Sequence, residues 1–202
     1  MKTVKISIAL LMTLFLLWGQ ISICQSEIDT RSLGGYSSVC GPVTETDKQW
    51  VMEHFGDCNT VEELMIALEL FGCTNFKYTN DALRLSQRII QYYNLGAFIA
   101  SDYRGVCFDF SCFCKNVILI VCQEKSIPVR AYVCSIRYAE GPGHALNIIY
   151  TGDGTGYYLD LTADSTYYQK GESIWGPLPL GDKTPDAFLK DIFPDVCSIH
   201  LK

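Results

Sequence analysis

The chain has 202 residues, of which 49% are hydrophobic, and this is enough for one domain with a buried core. It carries 22 acidic and 16 basic side chains, for a formal net charge of −6 at pH 7, and it has no basic run. This charge balance argues against nucleic acid and anionic membrane surfaces as partners.

The first 24 residues have the pattern of a secretory signal peptide, which predicts a secreted protein (periplasmic if the source is bacterial). Lys2 and Lys5 precede an apolar run over residues 6–18. That run is shorter than the roughly 20 apolar residues of a membrane-spanning helix, although an anchor that is never cut is the alternative. Residues 25–202 are then predicted to form a single domain with no stable membrane association.

Cysteine is the most informative residue count. The sequence contains ten cysteines, and nine remain if Cys24 leaves with the leader. Nine cannot all pair within one chain in an oxidising compartment, so we expect four disulfides and one free thiol. An intermolecular bridge or an unpaired buried cysteine would also explain the odd number. No metal or other cofactor is expected, because C-x-x-C is absent and the three histidines (His54, His144 and His200) lack ligand spacing.

The first half of the chain is predicted to be helical. A short helix over 46–55 ends at a glycine, and T-V-E-E at 60–63 is a capping box that opens a second helix as far as Gly72. A third helix is predicted from about residue 80 to 94. A fourth, over about 107–125, has apolar residues around most of its circumference, so we expect it to be buried on nearly all sides.

Two cysteines of the fourth helix are expected to act as clamps. Cys112 and Cys114 are two residues apart, and side chains at that spacing diverge around a helix. They should therefore not bond each other, and each is expected to reach a different neighbouring segment.

After Pro128 the pattern changes from helical to strand-like. Segments rich in Val, Ile and Tyr are separated by glycine turns, which is typical of an antiparallel meander. A last short helix is predicted over 185–193, and Cys197 beyond it is well placed to bridge back to the body. Helices followed by a sheet, with the buried helix packed on it, predict the α+β class. The predicted strands are 129–138, 145–150 and 157–161.

Three residues form a candidate nucleophilic site. Cys107 stands at the start of the fourth helix, where unpaired N–H groups favour a thiolate. His144 opens a strand after a glycine turn. Asp160 lies in an apolar strand, where an acid is costly unless it is paired. Taken singly, each has a plainer alternative: a disulfide half, an ordinary histidine and an acceptor for backbone N–H groups.

Hairpin geometry is predicted to bring the histidine and the aspartate together. A loop of odd length centred on Asp153 pairs residues at equal distances from it along the chain, so His144 faces Thr162 and Asp160 faces Leu146. His144 and Asp160 are then diagonal neighbours on one face, within reach of each other. A slip of one residue would place them on opposite faces.

Four short motifs follow one another between residues 104 and 162: R-G-V-C, S-I-P-V-R-A-Y-V, G-H-A-L-N and L-D-L-T. In order and spacing they resemble the core of the transglutaminase-like cysteine-enzyme superfamily. Two positions depart from that pattern, because Leu146 stands where a tryptophan is usual and Leu161 where a proline is common. The resemblance implies a papain-like α+β fold with Cys107 as nucleophile, His144 as general base and acid, and Asp160 as the residue that orients the histidine.

The implied function is acyl transfer through a thioester, by a hydrolase or acyltransferase acting on amide or peptide bonds of a protein or peptide substrate. Two alternatives remain open. One is a non-catalytic secreted binding module with the same fold. The other is an arylamine N-acetyltransferase-like enzyme, whose R-G-G-x-C motif is similar to R-G-V-C at 104–107, although acetyl-CoA is intracellular.

Overall fold

The computed structural model describes residues 43–79, 95–141, 143–163 and 176–201. Together they form the predicted α+β arrangement of helices and an antiparallel sheet. The leader at 1–24 and the helix predicted at 80–94 lie outside the described residues. The helices are α1 (Glu45–Phe55), α2 (Val61–Asn75), α3 (Leu95–Ala100), α4 (Cys107–Glu124) and α5 (Pro185–Ile192). The strands are β1 (Lys77–Tyr78), β2 (Arg104–Gly105), β3 (Val129–Tyr138), β4 (His144–Thr151), β5 (Gly156–Leu159), β6 (Leu178–Pro179) and β7 (Val196–Leu201).

Capping threonines open the first two helices. Thr44 caps α1 in a reciprocal capping box. Thr60 caps α2 by accepting the N–H of Glu63 at 3.1 Å. The Glu63 carboxylate accepts the N–H of Asn59 at 2.7 Å, one residue earlier than the capping box predicts. Helix α2 also continues past its predicted end at Gly72.

Helix α4 is the centre of the fold, and its predicted burial is confirmed. Twelve of its 18 residues are buried. It packs against α1 and α2 on one side and against β3 and β4 on the other. Aromatic rings fill the space toward the N-terminal helices, where Phe113 stacks on Phe71 with ring centroids 5.6 Å apart. Burial on this scale fixes both the position of α4 and the direction of its first turn.

The main sheet has the order β6-β5-β4-β3-β7, with all neighbours antiparallel. Asn147 pairs with Leu159 and Tyr150 pairs with Gly156, so the predicted hairpin register around Asp153 is confirmed. Strand β5 ends at Leu159, two residues before its predicted end, and residues 161–163 form a helical turn.

Alternation along the strands divides the apolar side chains between the two faces of the sheet. One face packs on α4 and the N-terminal helices, and the other packs on α5. On the first face lie Ala131, Val133, Ala145 and Ile149. On the second lie Cys134, Ile136, Leu146 and Ile148.

The prediction of four disulfides is wrong. Four bridges need eight of nine cysteines, and six cysteines of the described residues carry free thiols. The reason is that three of these six, Cys114, Cys122 and Cys134, are buried and serve as small apolar core residues. Cys114 is fully buried in the α4 cluster instead of clamping a second segment, and Cys134 lies in the cluster across the sheet. Cys197 is exposed and donates to the Arg137 carbonyl at 3.3 Å without forming a bridge. The free thiols are those of Cys58, Cys107, Cys114, Cys122, Cys134 and Cys197.

Within the described ranges, no helix has the length and apolar character needed to cross a membrane.

Candidate active site

The R-G-V-C segment sets where α4 begins. The N–H of Val106 donates to Asp109 Oδ2 at 2.7 Å, so the side chain in the third helical position folds back over the helix start. A Cβ on Gly105 would lie 2.6 Å from that oxygen, which explains the glycine. Cys107 is the first helical residue and is partly exposed. As the first residue it also has an N–H without an acceptor inside the helix.

A strained turn leads into this segment. Asp102 and Tyr103 have left-handed φ angles of 59° and 55°. Such angles cost of order 1–3 kcal/mol for each non-glycine residue and persist where packing over-determines them. Here the Tyr103 ring packs edge-on against Phe71, with centroids 5.1 Å apart. Lys77 on β1 forms an ion pair with Asp102. The chain therefore enters the site along a fixed path.

His144 is the first residue of β4, opposite Ile136 on β3. A Cβ on Gly143 would lie 2.8 Å from the Ile136 carbonyl oxygen, so a glycine is needed just before the histidine. The imidazole Nε2 is 2.6 Å from Asp160 Oδ2, and 18% of the histidine side chain is exposed. The predicted contact between His144 and Asp160 is therefore present in the structure.

Each of the two carboxylate oxygens of Asp160 accepts a different pair of hydrogen bonds. Oδ1 accepts the backbone N–H groups of Thr162 and Ala163, each at 3.1 Å, and so caps the helical turn at 161–163. Oδ2 accepts from His144 and from the Tyr158 hydroxyl, the latter at 3.1 Å. Both interpretations of this acid, as histidine partner and as backbone acceptor, hold at once. The cap also explains why β5 ends before Asp160.

The Cys107 side chain also hydrogen-bonds the imidazole of His144. Burial lowers the pKa of His144, but the hydrogen bonds that the ring makes to Asp160 and Cys107, together with the charges of those two groups, outweigh it and raise the pKa to about 10. Since Nε2 faces Asp160, the nitrogen left for the sulfur is Nδ1. The structure therefore brings the three predicted site residues into one chain of contacts, with a protonated imidazole at neutral pH in the middle.

Burial separates this thiol from others in the protein. Burial raises the pKa of Cys122 to about 11 and the pKa of Cys134 to about 12, the latter also through the Asp186 charge. The pKa of the fully buried Cys114 is raised further still. These three thiols stay protonated at physiological pH and are unreactive core groups. Cys107 differs from these three because it is partly exposed and lies next to the His144 ring.

Two residues that the sequence reasoning missed hold this arrangement in place. Buried Asn147 donates from Nδ2 to the Ser111 carbonyl on α4 at 3.0 Å and to the Tyr132 carbonyl on β3 at 3.2 Å. Ser111 in turn donates to the Cys107 carbonyl at 2.9 Å. This network ties the first turn of α4 to the sheet. Tyr158 is the second missed residue, and its position two before Asp160, on the same side of an extended strand, was a usable signal.

The two departures from the resembled pattern are core positions. Leu146 is fully buried in the cluster on the α5 side of the sheet. Leu161 is 2% exposed and belongs to the α4 cluster. Both leucines thus fill apolar space, and neither replaces a reacting group.

Comparison with known proteins gives only loose likenesses. No family model matches the chain, and no curated protein matches it either. The crystal structure of a candidate cysteine protease from Cytophaga hutchinsonii is similar with a TM-score of 0.42 at 15% identity, over 82% of this chain and 52% of that one. The crystal structure of a TGase is similar with a TM-score of 0.40 at 14% identity, over 70% of this chain and 37% of that one. The chain thus spans about half or less of the length of these structures, and likeness at this level does not tell what it does.

Proposed function

We propose that this protein is a transglutaminase-like cysteine hydrolase or acyltransferase that acts on amide or peptide bonds of proteins or peptides. One observation carries the proposal: His144 bonds Asp160 at 2.6 Å through Nε2 while its ring also contacts the Cys107 thiol. A nucleophile, an acid–base group and an orienting carboxylate in this order are what thioester chemistry requires.

In the proposed reaction, Cys107 and His144 react as a thiolate and an imidazolium. The sulfur attacks the carbonyl carbon of the amide and forms a C–S bond. The C–N bond then breaks, and the amine leaves with the proton of His144. Water or a second amine gives a proton to the neutral imidazole and attacks the thioester, and the sulfur leaves as thiolate. The Cys107 N–H supplies one donor to the developing oxyanion.

Thiol labelling tests the nucleophile. Brief treatment of the unreduced native protein with iodoacetamide, followed by mass spectrometry, should modify Cys107 first. His144→Ala should slow that modification by at least about tenfold, because the cation beside the sulfur is lost. Cys107→Ala should abolish it and leave thermal stability nearly intact. Labelling at Cys107 no faster than at the exposed Cys197, whose matched Cys197→Ala variant is the control, would contradict the proposal.

Incubation with peptide pools then identifies the reaction. Glutamine-containing peptides, with and without an added primary amine, should show deamidation, cleavage or amine incorporation by mass spectrometry, each lost in Cys107→Ala. A reactive Cys107 without any turnover would favour the non-catalytic module. Measurable acetyl-CoA binding would favour the arylamine N-acetyltransferase reading.

We also propose that the protein is secreted after removal of residues 1–24. The pattern of the leader supports this, with two lysines before a short apolar run. Expression of the full chain in a secreting host, with sequencing of the N-terminus of the protein in the medium, tests it. A protein retained in the cell with Met1 intact would contradict secretion.

A further inference from the structure

Two donors converge on one oxygen of Asp160. His144 Nε2 lies 2.6 Å from Oδ2, and the Tyr158 hydroxyl lies 3.1 Å from the same atom. The other oxygen is already occupied by two backbone N–H groups. The carboxylate cannot turn away from either side chain without giving up the cap of the 161–163 turn. The histidine and the tyrosine therefore share a fixed acceptor.

The packing around Tyr158 holds its side chain in one position. Tyr158 is 1% exposed, and its ring packs against Phe188 and Phe193, with centroids 5.8 and 6.5 Å away. The Phe193 ring also meets the imidazole edge-on, with centroids 6.4 Å apart. A carboxylate oxygen can only accept, so the Tyr158 hydroxyl must be the donor. The hydroxyl is thus aimed at Oδ2 by packing.

We infer that Tyr158 is a positioning residue that shares Asp160 Oδ2 with His144 and limits how firmly the carboxylate holds the histidine's proton. The inference rests on the proposed function. In that reaction His144 must release its proton to the leaving amine, and a carboxylate with no competing donor binds the imidazolium more tightly. The tyrosine hydroxyl takes up part of the negative charge on Oδ2 and so makes the proton easier to give.

Few titratable groups face this carboxylate within the described residues. His144 comes from β4, Tyr158 from β5 and Tyr138 from β3, and Cys107 on α4 lies beyond the imidazole. The Asp160 charge contributes to the raised pKa of Tyr138, after burial and ahead of Cys107. A change at Tyr158 should therefore be read out at His144 directly.

The experiment is a titration of His144 by NMR, followed through its labelled imidazole carbons, in the wild type and in Tyr158→Phe. Removing the hydroxyl should raise the titration midpoint of His144 by roughly 0.5 to 1 pH unit, the equivalent of one ordinary hydrogen bond. Tyr157→Phe is the matched control, because Tyr157 is the neighbouring residue on β5 and its hydroxyl bonds Glu62 at 3.2 Å instead. Its variant should leave the midpoint unchanged.

An unchanged or lower midpoint in Tyr158→Phe would overturn the inference and indicate a merely structural hydroxyl. If that variant does not fold, 4-aminophenylalanine at position 158 gives a second measurement. Its NH₂ group is a weaker donor than the hydroxyl and does not ionise in this pH range, so the midpoint should rise, and an unchanged or lower midpoint would overturn the inference. The titration needs no turnover, so it is distinct from the proposed function, which fails instead if Cys107 is not selectively labelled.

Discussion

Asp160→Asn is the most informative single change in this protein. The carboxylate accepts from four donors: His144, the Tyr158 hydroxyl and the N–H groups of Thr162 and Ala163. An amide has one oxygen and one NH₂ group, so it can serve only one of the two pairs. Its NH₂ group then points at the donors of the other pair. No rotamer of the asparagine satisfies the site.

The expected cost follows from which pair is lost. Breaking a buried ion pair by removing one partner costs about 3–5 kcal/mol, and losing a helix cap costs about 1 kcal/mol. We expect Asp160→Asn to lower the free energy of unfolding by about 3 kcal/mol near neutral pH. This loss of unfolding free energy should be several times larger than the loss caused by the same substitution at an exposed aspartate.

The loss of unfolding free energy in Asp160→Asn should also depend on pH. The direction of that dependence follows from the raised pKa of His144. Its pKa in the folded protein is raised to about 10, above the ordinary value of 6.5. The stability contributed by the charged pair is therefore complete below about pH 6.5 and is lost as the pH rises through about 10. Asp160→Asn removes this contribution. The difference between wild type and variant should therefore be larger at about pH 7 than at about pH 10.

Urea denaturation followed by circular dichroism, at about pH 7 and about pH 10, measures both quantities. Asp153→Asn is the control, because Asp153 belongs to the same hairpin and its carboxylate bonds Thr151 at the end of β4 and Thr155 in the loop. Its effect should be small and equal at the two pH values. A loss below about 1 kcal/mol in Asp160→Asn, or one of equal size at both pH values, would refute the description of the buried pair.

Two further substitutions test how the nucleophile is held. Gly105→Ala brings a Cβ within 2.6 Å of Asp109 Oδ2, so we expect a loss of about 1–2 kcal/mol in urea denaturation and slower alkylation of Cys107. Unchanged alkylation would show that the helix start does not depend on that close approach. Asn147→Ala removes the bonds to the Ser111 and Tyr132 carbonyls and should cost about 1–3 kcal/mol. A loss within 0.5 kcal/mol of zero, the range of an ordinary surface substitution, would contradict its role as a tie between α4 and the sheet.

The sequence predicted well what local pattern determines. The strand at 129–138 has the predicted bounds, because its alternation and the proline before it are both visible in the sequence. The register of β4 with β5 follows from the glycine turn around Asp153, and it predicts the reach between His144 and Asp160. The position of Cys107 at the start of a helix could also be predicted from the sequence, since a glycine precedes a long apolar run there.

What failed depended on tertiary context. Cysteine parity predicted four bridges, since counting thiols does not show that Cys114, Cys122 and Cys134 are packed as core residues. The end of β5 was placed too late, because the capping role of Asp160 competes with strand pairing and wins. The contact between Cys107 and His144 requires α4 to lie on the sheet in one particular way. No spacing in the sequence shows that, and the superfamily resemblance supplied the expectation.

The bonds of Asp160 make its role in the fold independent of the reactivity of the thiol. One oxygen holds the turn after β5 and the other holds His144, so folding requires this carboxylate whether or not a thiol reacts nearby. A Cys107→Ala variant would still need Asp160 to cap the turn and His144 as the partner of a buried charge. In this architecture an intact histidine–aspartate pair indicates only that the fold needs it. The pair is therefore not evidence of catalysis, which under the proposed function depends on the Cys107 sulfur.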